Sequence, residues 1–205
     1  MAIQIHDSLT RKLEPLQPLT PGEIGMYVCG PTVYDRAHVG HAMSVLVFDI
    51  IHRYLEYRGY KVRHAMNYTD VDDKIINRAN EVGMEASQLA EKFIDAFYRD
   101  MDALNVMRAD REPKVTEHIT DIIDIVQTLL DKGAAYVVDG DVYYAVETFV
   151  EYGKLSGRKL DDMVAGSRVE INTSKRNPYD YGQSGQQCGD HQFRRNYRLR
   201  SERSG

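Results

Sequence analysis

Met26-Tyr27-Val28-Cys29-Gly30-Pro31-Thr32-Val33-Tyr34-Asp35-Arg36-Ala37-His38-Val39-Gly40-His41 contains the transition around which the chain is organised. It extends an apolar run from Ile24 to Cys29, interrupted only by Gly25, that reads as a short strand. Gly30-Pro31 ends that strand, because proline has no N–H for a ladder and glycine favours a turn. From Val39 onward apolar residues recur at helical spacing, through Met43, Leu46, Ile50 and Tyr54. A cysteine thus stands where a strand ends, and two histidines flank a glycine where a helix begins. The free N–H groups and dipole of a helix N-terminus attract anions. Gly40, having no Cβ, lets a ligand come close to the backbone. These residues point to a nucleotide-phosphate site beside a thiol able to hold a metal.

Working outward, the helix is expected to run to about Arg58 and to stop at Gly59 in a left-handed conformation. Lys61 to Asn67 reads as a second strand, making a βαβ unit with parallel strands. Ligands of such sheets bind beyond the carboxyl ends of the strands, where Cys29 and Thr69 both fall. Asp70-Val71-Asp72-Asp73 opens the next helix; helix capping explains these carboxylates more simply than a magnesium site does. Leu89, Phe93, Phe97, Met101 and Leu104 form one helical stripe, and Val115, Ile119, Ile122, Val126 and Leu129 another after Pro113. Both are expected to support a core. Ala135–Val138 and Val142–Val146, joined through Asp139-Gly140-Asp141, predict a β-hairpin. At the other end, Pro15, Pro18 and Pro21 make residues 1–23 an extended segment and loop, with Leu9-Thr10-Arg11 helping to dock it.

The 205 residues, 42% apolar, suffice for one full core with a smaller lobe. No apolar run approaches the length of a membrane span, and Met1-Ala-Ile-Gln-Ile-His-Asp7 lacks the basic start and apolar centre of a signal peptide. Cys29 and Cys188 are too few and too distant to imply a disulfide framework, which fits a reducing, cytoplasmic setting. The net charge of −5 argues against a strongly basic nucleic-acid clamp. That charge is uneven: residues 172–205 carry +4 and the remainder −9. Local patches on an acidic body still allow binding to RNA.

His38-Val39-Gly40-His41 resembles the His-Ile-Gly-His motif of class I aminoacyl-tRNA synthetases. It follows Tyr27-Val28-Cys29-Gly30-Pro31-Thr32-Val33-Tyr34-Asp35 and precedes Asn67-Tyr68-Thr69-Asp70-Val71-Asp72-Asp73-Lys74. Three blocks in that order and spacing resemble the cysteinyl-tRNA synthetase family, over about Ile3 to Tyr181. The resemblance implies an α/β fold: the N-terminal half of a Rossmann-type nucleotide-binding class I catalytic domain, with a helical and hairpin connective-peptide insertion. It places the first half of the catalytic domain at 1–110 and the insertion at 111–171, leaving a basic, disordered tail at 172–205.

The resemblance also implies roles. Cys29 corresponds to one of four zinc ligands, and the Zn2+ binds the substrate cysteine as a thiolate, since soft sulfur is preferred over a serine hydroxyl. His38, Gly40 and His41 bind ATP, accompanied by Mg2+, and the two histidines stabilise charge as the carboxylate attacks the α-phosphate. Gly30, Thr32, Thr69 and Asp70 bind the amino acid, Asp70 orienting its amino group. Tyr34 and Asp35 fit either lining or packing roles, and His6, His52, His64 and His118 have no motif around them. The implied partners are L-cysteine, ATP and tRNA-Cys, with no membrane.

The chain departs from the family beyond Tyr181. Between Asn172 and Gly205 the sole residue among Ile, Leu, Val and Met is Leu199, a composition unable to offset ordering entropy. Lys175-Arg-Asn-Pro-Tyr-Asp-Tyr181 still resembles the family, and 182–205 read as the product of truncation or a frameshift. Cys188-Gly-Asp-His191 has a metal-like spacing in an unpromising setting. The remaining zinc ligands, the mobile Lys-Met-Ser-Lys-Ser-type loop and the anticodon-binding helices of the family are missing, so little aminoacylation is expected of these residues alone. Two other readings stay open: a mycothiol-type cysteine ligase, sharing the adenylation half-reaction, and a catalytically dead binding fragment.

Overall fold

The structure, a computed structural model, describes residues 2–138, 140–157, 176 and 180–183. By backbone contacts the chain forms two units. One is Pro18–Ile119; the other joins residues 2–17 to the described residues from 120 onward.

In the first unit, β3 (Glu23–Val28) and β4 (Lys61–Met66) pair in parallel, Glu23 opposite Lys61 and Val28 opposite Met66. Between them runs α1 (Val39–Tyr57). It ends on Arg58, and Gly59 follows at φ +87°, a left-handed conformation that glycine adopts without steric cost. Period-two alternation sends Val62, His64 and Met66 of β4 into the interior. On the solvent face, Arg63 and then Lys61 pair with Glu23 and hold its carboxyl below the usual range. The second edge of β4 is met by residues 111–114, where Met66 and Tyr68 N–H donate to the carbonyls of Arg111 and Pro113.

Two helices follow: α2 (Asp73–Val82), closed by Gly83 at φ +66°, and α3 (Ala86–Ala103). Leu89, Phe93, Phe97 and Met101 of α3 pack with Val33, Met66, Tyr68, Ile75 and Ala79 in the main core. Tyr68 is fully buried, edge-on to both Phe97 and Tyr98, and burial pushes its phenol far above the usual range. The stripe assigned to α1 behaves differently. Val39, Met43, Ile50 and Tyr54 are exposed and Leu46 is half-buried. The residues α1 turns inward are Asp49, His52 and Leu55, with Ala42 and Val45 packed on the core.

In the second unit, residues 2–17 form a hairpin, β1 (Gln4–Asp7) with β2 (Lys12–Pro15), rather than only an extended segment and loop. Asp7 Oδ1 accepts the Leu9 N–H, and Arg11 takes a positive φ of 60°, which together turn the chain. The 3₁₀ turn Val115–His118, at the end of the first unit, leads into α4 (Ile119–Asp131); the stripe residues Ile119, Ile122, Val126 and Leu129 are half-buried, and the helix's buried residue is Ile123. The expected hairpin is present as β5 (Ala135–Val138) and β6 (Asp141–Tyr144).

A third strand, β7 (Tyr181–Gln183), pairs antiparallel with β6. Composition assigned these residues to the tail beginning at 172, and here that expectation is corrected. The Asp180 carboxylate accepts the Tyr136 hydroxyl at 2.5 Å and the buried Val146 N–H at 3.1 Å. Arg176 donates its N–H to the Tyr136 oxygen and stacks its guanidinium 4.2 Å from that ring. Two side chains therefore anchor a segment too poor in apolar residues to be recognised by pattern. The rest of the tail, including Cys188 and His191, lies outside the described residues.

Candidate active site

The parallel pair continues past its strands. Thr32 bridges Thr69, with the Thr69 N–H donating to Pro31 O at 3.1 Å and the Val33 N–H donating to Thr69 O at 3.2 Å. Cys29, Gly30, Thr32 and Thr69 are thereby brought to the carboxyl ends of β3 and β4, where the βαβ topology directs ligands.

Cys29 is exposed and in no disulfide among the described residues, its Sγ 3.8 Å from the Gly30 carbonyl oxygen. Gly30 admits no other residue. A Cβ there would stand 1.6 Å from the Asn67 carbonyl oxygen. The Asn67 side chain reaches across the strand ends, its Oδ1 accepting the Gly30 N–H at 3.0 Å and the Tyr27 hydroxyl at 2.8 Å. Nothing in the sequence singles out Asn67, because a lone asparagine in a motif does not reveal which distant backbone group it binds.

His38 is the N-cap of α1. Its Nδ1 accepts the Gly40 N–H at 3.1 Å, while His41 Nδ1 accepts the His38 N–H at 3.2 Å. The rings stack with centroids 3.9 Å apart and planes 24° from parallel. Each Nδ1 is an acceptor, so in the neutral rings the proton sits on Nε2. Partial burial, with His38 beside it, holds His41 below its ordinary value. Gly40 is part of this packing, since a Cβ would come within 3.0 Å of the His38 ring. The result is a helix N-terminus carrying two Nε2–H donors, well suited to phosphate oxygens.

Asp70 has another occupation. It is buried, and both its oxygens accept from Thr116, from the N–H at 3.0 Å and the hydroxyl at 2.5 Å. Asp72 caps α2 by accepting the Lys74 N–H at 2.9 Å. Lys74 also lies over the Tyr34 ring, and Asp35 accepts the Arg36 N–H. No group of three or more histidine, cysteine or acidic side chains able to hold a metal occurs among the described residues. The residues described around Cys29 therefore do not make a zinc site by themselves.

The model of the class I (C) tRNA synthetase catalytic domain matches residues 15–193. The chain belongs to that family. It is 57% identical over 181 residues to a cysteine–tRNA ligase of Desulfotalea psychrophila, covering 88% of this chain and 37% of the relative. Ligases of the same name from Trichlorobacter lovleyi and Thermococcus onnurineus are each 55% identical over 181 residues, at 88% of this chain and 37% and 38% of theirs. This chain thus spans little more than a third of the length of these relatives. Among solved structures it is similar to the LeuRS–tRNA–LeuAMS ternary complex of Agrobacterium radiobacter K84 (TM-score 0.52, 25% identity, 62% of this chain and 17% of that one). It also resembles Mycobacterium tuberculosis methionyl-tRNA synthetase in complex with methionyl-adenylate (TM-score 0.50, 25% identity, 58% and 24%). These likenesses agree with a Rossmann-type catalytic domain. No helix among the described residues is long and apolar enough to cross a membrane.

Proposed function

We propose that these residues form the amino-acid- and ATP-binding half of a cysteine–tRNA ligase, which joins cysteine to ATP as cysteinyl-adenylate and then transfers it to tRNA-Cys. The observation that carries this reading is the interlocked His38–Gly40–His41 cap at the head of α1, in the same connection between β3 and α1 that carries Cys29. In the proposed reaction the cysteine carboxylate attacks the α-phosphate of Mg2+-bound ATP, and pyrophosphate leaves. The Nε2–H groups of His38 and His41 donate to phosphate oxygens as negative charge builds there, an electrostatic contribution that needs position rather than proton transfer. Thr32 and Thr69 line the amino-acid side of the site, and Gly30 offers backbone access. Asp70 then acts through Thr116, as support for the strand end.

In this reading residues 1–110 belong to the first half of the catalytic domain and 111–171 to the connective insertion. Zinc held through Cys29 would draw its other ligands from outside the described residues. The setting is the cytoplasm. The identities of the relatives favour tRNA over an amino-sugar as the acceptor.

These 205 residues contain no Lys-Met-Ser-Lys-Ser-type loop. Removing transition-state charge stabilisation of that kind costs several kcal/mol, on the order of hundreds-fold or more in rate. Two measurements test the reading. Calorimetric titration with Mg2+-ATP is expected to show binding that weakens about tenfold, or ~1.4 kcal/mol, in His38→Ala. Cysteine-dependent ATP–pyrophosphate exchange by the chain alone is expected near background. Absence of any ATP binding refutes the site, and robust exchange refutes the low activity.

A further inference from the structure

The turn that carries Cys29 is held from a single side-chain oxygen on the neighbouring strand end. Asn67 Oδ1 accepts the Gly30 N–H and the Tyr27 hydroxyl together, so both bonds converge on one atom. The Asn67 backbone carbonyl also blocks any side chain at position 30, so the turn and the strand end are in contact through main chain as well. Asn67 is itself fixed from behind: Met66 and Tyr68 on either side of it are buried in the core and bonded to Arg111 and Pro113. Its amide is therefore an arm projecting from a rigid strand to the mouth of the site. Nothing else described holds the Gly30 N–H, which would otherwise need a water partner.

We propose that Asn67 is a positioning residue that sets the Cys29–Gly30 turn through the Gly30 N–H, so that an α-amino acid bearing a thiol can dock against it. The substrate class rests on the cysteine-activating reading above; the clamp does not. A first-rank ligand needs its contacts held to within about 0.5 Å, and a turn released from Asn67 would lose that order.

The test uses the 205-residue chain with Asn67→Ala, Asn67→Asp and Tyr27→Phe. Aspartate keeps an oxygen acceptor at the same reach, alanine keeps none, and Tyr27→Phe removes one donor while sparing the Gly30 bond. Three quantities are read: exchange of the Gly30 amide by NMR, L-cysteine affinity and Mg2+-ATP affinity, with the melting temperature alongside. Asn67→Ala is expected to speed Gly30 exchange about tenfold and weaken L-cysteine about tenfold, leaving ATP affinity within about twofold. Asn67→Asp is expected to restore slow exchange and cysteine binding, and Tyr27→Phe to leave Gly30 exchange unchanged. A merely structural role would lower the melting temperature and both affinities together. Unchanged Gly30 exchange in Asn67→Ala, or an aspartate variant no better than alanine, would overturn the clamp. If Gly30 exchange responds as expected but the unsubstituted chain binds ATP and no L-cysteine, the clamp is supported and the substrate class is overturned. Should Asn67→Ala fail to fold, the contrast between the unsubstituted chain, Asn67→Asp and Asn67→Ser decides.

Discussion

Helix α3 buries Leu89, Ala90, Phe93, Ile94, Ala96, Phe97 and Met101, whereas α1, one residue longer, buries only Asp49, His52 and Leu55. Both helices carry apolar residues at the same period. On α3 that stripe is the core face from Leu89 to Met101, while Leu104, expected to belong to it, is the C-cap of the helix and exposed. On α1 the stripe of Val39, Met43, Ile50 and Tyr54 stands in solvent, and a second stripe, Ala42, Val45, Asp49, His52 and Leu55, faces inward. Period alone locates a helix; which face meets the core depends on what the other elements offer. Against α1 they offer polar groups. Asp49 accepts the Met107 N–H at 2.9 Å and, within α1 itself, the Arg53 Nε–H at 2.8 Å, and His52 meets the buried His64 edge-on at 5.5 Å.

The largest effect expected from this contrast is on α3. Phe97→Ala removes a ring packed edge-on against Tyr68 and should destabilise the unit by about 3–5 kcal/mol, read from the midpoint of urea unfolding. A loss below about 1 kcal/mol would mean that the core is looser than its burial indicates.

Next comes the polar seam under α1. Asp49→Ala leaves the Met107 N–H without its acceptor and Arg53 without its ion pair; a cost of about 1–3 kcal/mol is expected in the same titration. Asp49→Asn keeps an acceptor and should recover part of that loss. If both variants unfold like the parent, α1 is not fastened by this residue and the contrast with α3 fails.

A weaker handle on the same seam is pH. Burial, and then the neighbouring His52, hold the His64 imidazole below its ordinary 6.5, while Asp110 and Asp49 pull the other way. Both ring nitrogens of His64 are buried without a hydrogen-bond partner among the described residues, so protonation would place a poorly solvated charge there. Between the lowered folded value and 6.5 the unfolded chain binds more protons. Stability is therefore fully present above about 6.5 and falls as the pH drops from there toward the folded value. Unfolding midpoints compared at neutral and mildly acid pH should fall on acidification, and fall less in His64→Gln. An equal fall in both would assign the acid sensitivity to other groups.

Much of this architecture was legible because its signals are local. The helix from Val39, its stop at Gly59 and the parallel partner at Lys61 each rest on residues a few positions apart. The capping role of Asp72 was readable for the same reason. What was not legible depends on pairs far apart in the chain. Asp70 with Thr116, Asn67 with Gly30, and Asp180 with Tyr136 are each fixed by tertiary geometry that no short window contains. In the site, His38, Gly40 and His41 declared themselves by spacing, but their reciprocal Nδ1 bonds did not, because a histidine shows neither its tautomer nor its partner in one-letter form.

The smallest effect belongs to the outward stripe of α1. Ile50 is 64% exposed, so Ile50→Ser removes little buried surface and should change unfolding stability by no more than about 0.5 kcal/mol. The same change interrupts a run of exposed apolar side chains, of the kind that drives association when contiguous. Light scattering of the concentrated chain should therefore fall in Ile50→Ser even though its urea midpoint does not move. Val45→Ser, on the inward stripe, reverses the expectation: the midpoint drops and scattering does not improve. If the two substitutions behaved alike, the stripes of α1 would not be the opposed surfaces that distinguish it from α3.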